Sequence, residues 1–255
     1  MLEVEIVPVL SDNFCYLVIC GETKRAAAID PAQPEPVLAR ADQLGVELVA
    51  IWNTHHHFDH TGGNEALLAK KKVDVYGPAD SHIPGRTHDL DEGDTIELGN
   101  LTAKVIATPG HTLDGICYHV EDALFSGDAL FAAGCGRLFE GDAEMMYESL
   151  NVTLAHLPDE TRLFFGHEYT EKNLGFAVDV DPENAELRAR FERVKAQRPR
   201  GEHTTPSTLG VERATNPFLR CGDEALRAAL RARDGGKLDN NVAVFAKLRS
   251  LRDNW

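Results

Sequence analysis

Residues Asn53–Gly63 read NTHHHFDHTGG, and the rest of the chain is best understood outward from them. Four histidines and one aspartate occupy the six positions His55–His60. Imidazole is costly to bury without partners, so packing alone explains such a run poorly. Three readings are open from it alone: a solvated loop, a metal-binding tract without chemistry, or half of a catalytic metal centre. The spacing H-x-H-x-D-H, formed by His55, His57, Asp59 and His60, has a chance expectation of roughly 0.002 over this chain. The preceding ELVAIWNT reads as a strand, in which alternate side chains share a face. His55 and His57 are therefore placed so that they could face one ion, with His56 pointing away and read as structural. Asp59 and His60 lie at the turn into a helix, placed to reach a second ion.

Other candidate ligands stand where other predicted strands end. VIATPGHT brings His111, ALFSGDA brings Asp128 and LFFGHEYT brings His167. Loops that follow strands are the usual place for a site on an α/β scaffold. Taken singly, His111 or His167 reads as an ordinary satisfied histidine, and Asp128 as a turn or cap residue. The conjunction with H-x-H-x-D-H reverses that. Five histidines and two aspartates suit a pair of borderline divalent ions, which would hold one hydroxide between them near neutral pH. His82, His88, His119, His156 and His203 have no such company and are read as structural. G-x-S-x-G, Walker A and G-x-G-x-x-G patterns are missing, so serine hydrolysis, NTP hydrolysis and dinucleotide chemistry lack support. Cys135, in GCGR, is a lesser candidate nucleophile.

The 255 residues suit one large domain, or one domain with an appendage. The five cysteines form no C-x-x-C pair, so neither a disulfide framework nor a zinc ribbon is expected, and reduced thiols in a cytoplasm fit best. MLEVEIVPVL lacks the pattern of a signal peptide, and no apolar run reaches membrane-spanning length. The net charge of −15 is uneven. Residues 1–180 carry 11 basic against 30 acidic side chains, and residues 181–255 carry 15 against 11. An acidic body disfavours nucleic acid as a partner. The basic end suits either a solvated helical surface or a small anionic ligand.

Strands are expected at EVEIVPV, FCYLVIC, KRAAAID, ELVAIWNT, VDVYG, LTAKVIATPG, ICYHV, ALFSGD and TRLFFGH. Helices are expected at PEPVLARADQLG, NEALLAKKK and DAEMMYESLNVTLAHLP. Beyond NLGFAVDVDP the pattern turns helical. One helix covers residues 182–198 with Pro182 in its first turn, and two more lie at DEALRAALRAR and NNVAVFAKLRSLR, with loop between. The expected division is a metal-binding hydrolase domain over residues 1–172 and a helical substrate-binding domain over 173–255.

The ordered motifs T-H-H-H-x-D-H, T-P-G-H-T, S-G-D and G-H-E-Y-T resemble the metallo-β-lactamase superfamily. Within it, GCGRLFEG, NPFLR and LRSLRD resemble the glyoxalase II family, the hydroxyacylglutathione hydrolases. The resemblance runs nearly end to end. It implies an α/β fold, the αββα metallo-β-lactamase sandwich, with a C-terminal helical domain. It implies one metal on His55, His57 and His111, a second on Asp59, His60 and His167, and Asp128 bridging. Asp59 and Asp128 are then the catalytic carboxylates. Two divalent ions per chain are implied, zinc first, with iron and manganese also suited to the ligand set. Glutathione contacts are implied for Arg137, Phe139, Tyr169, Arg249 and Arg252. Arg249 and Arg252 stand three apart on a predicted helix, hence on one face, and arginine forks match carboxylates.

The implied reaction is hydrolysis of S-D-lactoylglutathione to D-lactate and glutathione, the hydroxide attacking the thioester and the thiolate leaving unaided. A monomer in the cytoplasm, acting on a small glutathione thioester and bound to neither nucleic acid nor membrane, completes the expectation. Two departures from the family pattern stand out: Phe139 where tyrosine is common, and Asp114-Gly115 where Gly-His is common. The rivals are a glutathione-persulfide dioxygenase of the same fold, another hydrolase of the superfamily such as a lactonase or nuclease, and a metal-binding module without catalysis.

Overall fold

The computed structural model describes residues 1–234 and 238–255. The chain forms two compact units. The first comprises Met1–Thr108 and Asp114–Asp128, the second Pro109–Leu113 and Ala129–Trp255.

In the first unit, β1 (Leu2–Val9), β2 (Asn13–Cys20) and β3 (Arg25–Ile29) run antiparallel in sequence order. Helix α1 (Pro34–Leu44) then carries the chain to β4 (Glu47–Trp52), parallel to β3. Proline at its start and Gly45 at φ 65 after its end bound α1, and the Gly45 N–H donates to Asp42 O. Two short helices follow, α2 (Phe58–Thr61) and α3 (Asn64–Leu68). β5 (Asp74–Pro78) and β6 (His88–Leu90) extend the sheet in parallel, in order β1-β2-β3-β4-β5-β6. A second, antiparallel sheet holds β7 (Thr95–Leu98), β8 (Leu101–Ala107), β9 (Ile116–Val120) and β10 (Ala123–Phe125), ordered β10-β9-β8-β7.

Every residue of β2 is buried, as a strand covered on both faces requires. Its Cys15, Leu17 and Ile19 join Val37 and Ala41 of α1 and Leu67 of α3 in one apolar cluster. The opposite face meets the second sheet, where the Tyr16 and Phe125 rings lie 5.6 Å apart and those of Trp52 and Tyr118 lie 5.3 Å apart. Burying each such aromatic or aliphatic side chain contributes roughly 1.5–3 kcal/mol. With β3 and β4 parallel, the residues after both strands, Asp30 and Asn53–His55, leave the sheet at the same edge.

The second unit opens with a two-stranded hairpin, β11 (Leu130–Phe131) and β12 (Gly134–Cys135). α4 (Ala143–Glu148), β13 (Arg162–Phe164), α5 (Thr170–Val180) and α6 (Ala185–Gln197) follow. β14 (Ser207–Thr208) pairs antiparallel with β13 and leads into α7 (Leu209–Thr215), α8 (Glu224–Asp234) and α9 (Asn241–Asp253). Leu174 and Ala177 of α5 pack with Leu187 and Val194 of α6, and Phe218 lies 5.2 Å from Phe245 and 6.3 Å from Phe176.

Four local differences from expectation have physical causes. The helix expected over 142–158 ends as α helix at Glu148 and continues as a π turn and a 3-10 turn. There Ser149 Oγ donates to Pro109 O at 2.7 Å and Asn151 Nδ2 to Phe218 O at 3.1 Å, tying the segment to neighbours. Pro182 lies outside α6, whose N-cap is Asn184, accepting from Leu187 N–H. The stretch expected as loop contains α7, capped by Thr208. α5 has no counterpart among the expected helices; Gly175 stands within it, where a Cβ would come within 3.0 Å of the Trp255 ring. Among the described residues no helix is long and apolar enough to cross a membrane.

Candidate metal centre

Beyond β4 the chain turns sharply and buries His55. His55 Nε2 and His57 Nδ1 approach to 3.2 Å, so two nitrogens meet at one point. The single turn of α2 then presents Asp59 and His60. His60 Nε2 lies 3.4 Å from Asp128 Oδ1 and 3.7 Å from Asp59 Oδ2. Asn13 Nδ2 steadies Asp59, donating to its Oδ2 and to its backbone O, both at 3.0 Å. Asp128 arrives from β10 through Ser126-Gly127. Gly127 stands at φ 50, and a Cβ there would lie 2.3 Å from Thr54 Oγ1, so only glycine lets the turn pass. His56 faces elsewhere, its Nδ1 3.1 Å from Asp114 Oδ1.

One organising residue of this unit was not singled out from sequence. Asp30, buried at the end of β3, accepts from Thr54 N–H at 2.8 Å and Thr54 Oγ1 at 2.6 Å, and from His60 Nδ1–H at 3.0 Å. Thr54 Oγ1 in turn stands 3.0 Å from His55 Nδ1. With its hydroxyl proton given to Asp30, it accepts the His55 Nδ1–H. One carboxylate thus fixes the tautomers of two histidines and leaves Nε2 of each as the metal-facing atom. Asp30 also sits at φ 51, a left-handed conformation that aspartate tolerates better than most. The signal available in sequence was its place after β3, the strand beside the histidine-bearing one.

The electrostatics ask for a cation. Burial pushes the His60 imidazolium down, but Asp128 and Asp30 outweigh it and hold the pKa near 10. Carboxylate oxygens and imidazole nitrogens around one point are a donor set suited to a divalent ion, which would take the place of the His60 proton.

In the second unit, His111 Nδ1–H donates to Arg137 O at 2.7 Å, leaving its Nε2 as a ligand atom. The Phe139 ring packs edge-on against His111 at 5.3 Å. His167 stacks on Tyr169 at 4.7 Å with planes 8° apart, and Phe131 meets both rings edge-on. Between them, Glu168 accepts from Thr204 N–H at 2.9 Å and lies 3.2 Å from Arg198, fastening this loop.

Arg137 is exposed, over the Phe139 ring and 3.9 Å from Asp253. Arg252 reaches Asn173 Oδ1 at 3.2 Å and lies over Phe176 and Trp255. Arg249 differs from the open carboxylate fork expected of it. It is buried, donates to Cys135 O at 3.0 Å and Gly136 O at 3.4 Å, and pairs with Asp253 at 3.0 Å. Its Nε–H alone has no partner among the described residues. Burial pushes the Cys135 thiol up to about 11 despite the opposing charge of Arg249, which speaks against a nucleophilic role.

Residues 9–167 match the family model described as the metallo-beta-lactamase superfamily, and residues 168–255 match that of the hydroxyacylglutathione hydrolase C-terminus. Relatives named hydroxyacylglutathione hydrolase occur in Alkalilimnicola ehrlichii (49% identical, covering 99% of both chains) and Maricaulis maris (46% identical, 97% of this chain and 96% of the relative). The chain belongs to the hydroxyacylglutathione hydrolase family.

Among solved structures, this family member is similar to ETHE1 from Myxococcus xanthus, with a TM-score of 0.67 and 26% identity over 99% of this chain and 98% of the other. It is also similar to TTHA1623 in a di-iron-bound form, with a TM-score of 0.57 and 28% identity over 81% and 95%. The α/β metallo-β-lactamase fold with an added C-terminal domain, expected from sequence, is therefore the fold of this hydroxyacylglutathione hydrolase family member. Its clustered histidines and aspartates are those of a divalent-metal protein.

Proposed function

We propose that this chain hydrolyses S-D-lactoylglutathione to D-lactate and glutathione on two divalent ions, with zinc the first candidate. His55, His57 and His111 would hold one ion and Asp59, His60 and His167 the other, with Asp128 available to both. The observation that carries the reading is the pair of matched family models over a nearly full-length relationship to hydroxyacylglutathione hydrolases. Residues 168–255 speak for a thioester hydrolase over an oxygenase or lactonase.

Divalent ions held by this set lower the pKa of water and polarise a carbonyl. The protein's own residues do the rest. Asp30 and Arg137 O hold His60, His55 and His111 with Nε2 inward. Asn13 aims Asp59. Arg137, Arg252 and the remaining N–H of Arg249 offer positive charge to the two carboxylates of glutathione, with Phe139 and Tyr169 as apolar walls. This reading gives catalysis to the 1–172 segment, which also supplies Arg137, Phe139 and Tyr169 to the substrate, while 173–255 supplies Arg249 and Arg252. The five free, buried thiols suit a reducing cytoplasm, and the protein acts as a monomer on a small molecule.

The test is hydrolysis of S-D-lactoylglutathione by protein of measured metal content. Turnover rising in step with occupancy up to two ions per chain is expected. A fully dimetallated protein that leaves the thioester intact rejects the reading.

A further inference from the structure

The motif NPFLR, Asn216–Arg220, supplies no ligand and no expected substrate contact. Its asparagine nonetheless stands at the back of the β11–β12 hairpin. The turn of that hairpin is Ala132-Ala133, with Ala133 at φ 54. Two-residue turns ordinarily use Asn-Gly or another glycine pair, because a Cβ disfavours the left-handed region. Here three buried side chains bond the turn instead. Asn216 Nδ2 donates to Phe131 O at 3.1 Å and Gly134 O at 3.0 Å. Asn173 Nδ2 donates to Ala132 O at 3.1 Å, and Glu212 accepts the Ala133 N–H at 2.7 Å. Asn216 and Glu212 are wholly inaccessible to solvent. The Glu212 charge is matched by buried Arg190, whose other partners are Ser207 and Thr215.

The segment so held reaches three functional groups of the same unit. Phe131 packs edge-on against His167 at 6.1 Å. The carbonyls of Cys135 and Gly136 receive Arg249. The carbonyl of Arg137 receives Nδ1–H of His111. We infer that Asn216, with Glu212 and Asn173, is a positioning residue of the reaction. It fixes residues 130–139, and through them the ring of His167, the tautomer of His111 and the guanidinium of Arg249. The roles of those three groups rest on the thioester-hydrolase reading above.

The experiment compares Asn216→Ala with Thr215→Val, which disturbs the same buried network on the side away from the hairpin. The probe is zinc alone, removed from the holoprotein by a competing chromophoric chelator, beside melting temperature and the separate kcat and KM. Asn216→Ala is expected to retain zinc about ten-fold less tightly and to raise KM, while Thr215→Val retains it within about two-fold at a comparable loss of melting temperature. Adding Ala133→Gly to Asn216→Ala, which lets the turn hold its conformation unaided, restores most of the retention. Zinc retention that merely follows melting temperature in both variants, or that Ala133→Gly leaves unrestored, overturns the inference. Should Asn216→Ala not fold, Asn173→Ala removes the bond to Ala132 O in the same turn and carries the same expectation and refutation for zinc retention, KM being left aside because Asn173 also holds Arg252. The chelator assay contains no thioester, so failure of wild-type protein to hydrolyse S-D-lactoylglutathione would reject the function and leave this result standing or falling separately.

Discussion

Replacing Asp30 by Asn changes one atom's chemistry and almost no volume. The Asp30 carboxylate accepts three hydrogen bonds, Thr54 N–H on Oδ1 and both Thr54 Oγ1 and His60 Nδ1–H on Oδ2. Asparagine has one acceptor oxygen. In either orientation its NH2 confronts at least one donor. With Oδ1 kept for Thr54 N–H, two donors lose their acceptor. A hydrogen bond to a charged group contributes about 1.5–3 kcal/mol, and relaxation recovers part of it, so a net loss of roughly 2–4 kcal/mol follows. For a chain of this length that lowers the melting temperature by roughly 5–15 °C. His60 relieves the conflict by moving its proton to Nε2, the atom that faces Asp59 and Asp128, where it blocks metal coordination. Loss of such an outer partner weakens metal binding about 10–100-fold, equivalent to about 1.4–2.8 kcal/mol at 1.4 kcal/mol per decade. Chelator competition on purified protein measures the affinity, and thermal unfolding the stability. An Asp30→Asn protein that holds its metal within about two-fold of wild type and melts within about 2 °C of it would refute the tautomer reasoning.

Arg249→Ala should act on stability as well as on substrate. Removing its bonds to the Cys135 and Gly136 carbonyls costs about 3 kcal/mol, so melting temperature falls by roughly 6–12 °C while KM rises; a KM change at unaltered melting temperature would contradict the buried geometry. Cys135→Ser should keep kcat within about two-fold, and native Cys135 should resist alkylation, since a thiol with a pKa near 11 is thiolate in roughly one molecule in a few thousand at pH 7.5. Glu168→Gln should weaken the tie to Arg198 and loosen the His167–Tyr169 stack, lowering metal retention several-fold in the same chelator assay.

Much of this was written into local sequence. β2 announces itself through unbroken apolar residues, and α1 through Pro34 and Gly45, because those signals are local. The ligand candidates were legible because His and Asp are common metal ligands and these stand after strands or, for Asp59 and His60, on the short helix that follows one. Asp30 and Asn216 were not, since a second partner matters only through what the fold brings to it. Asp30 lies 30 residues before His60, and Asn216 lies 85 residues after Phe131. Arg249 misled in the other direction. Its spacing from Arg252 announced a cationic face, but spacing does not reveal that the Cys135 and Gly136 carbonyls already occupy one of its nitrogens.

The two tryptophans offer an optical consequence of the packing. Trp52 is sealed in the core beside Tyr118, three positions before His55. Trp255 is about half exposed, against Arg252. Acrylamide will therefore silence the emission of Trp255 first and leave that of Trp52. A quenching ion such as iron entering beside His55 can then be followed by the dimming of Trp52, and a ligand arriving at Arg252 by the protection of Trp255, both in unlabelled protein.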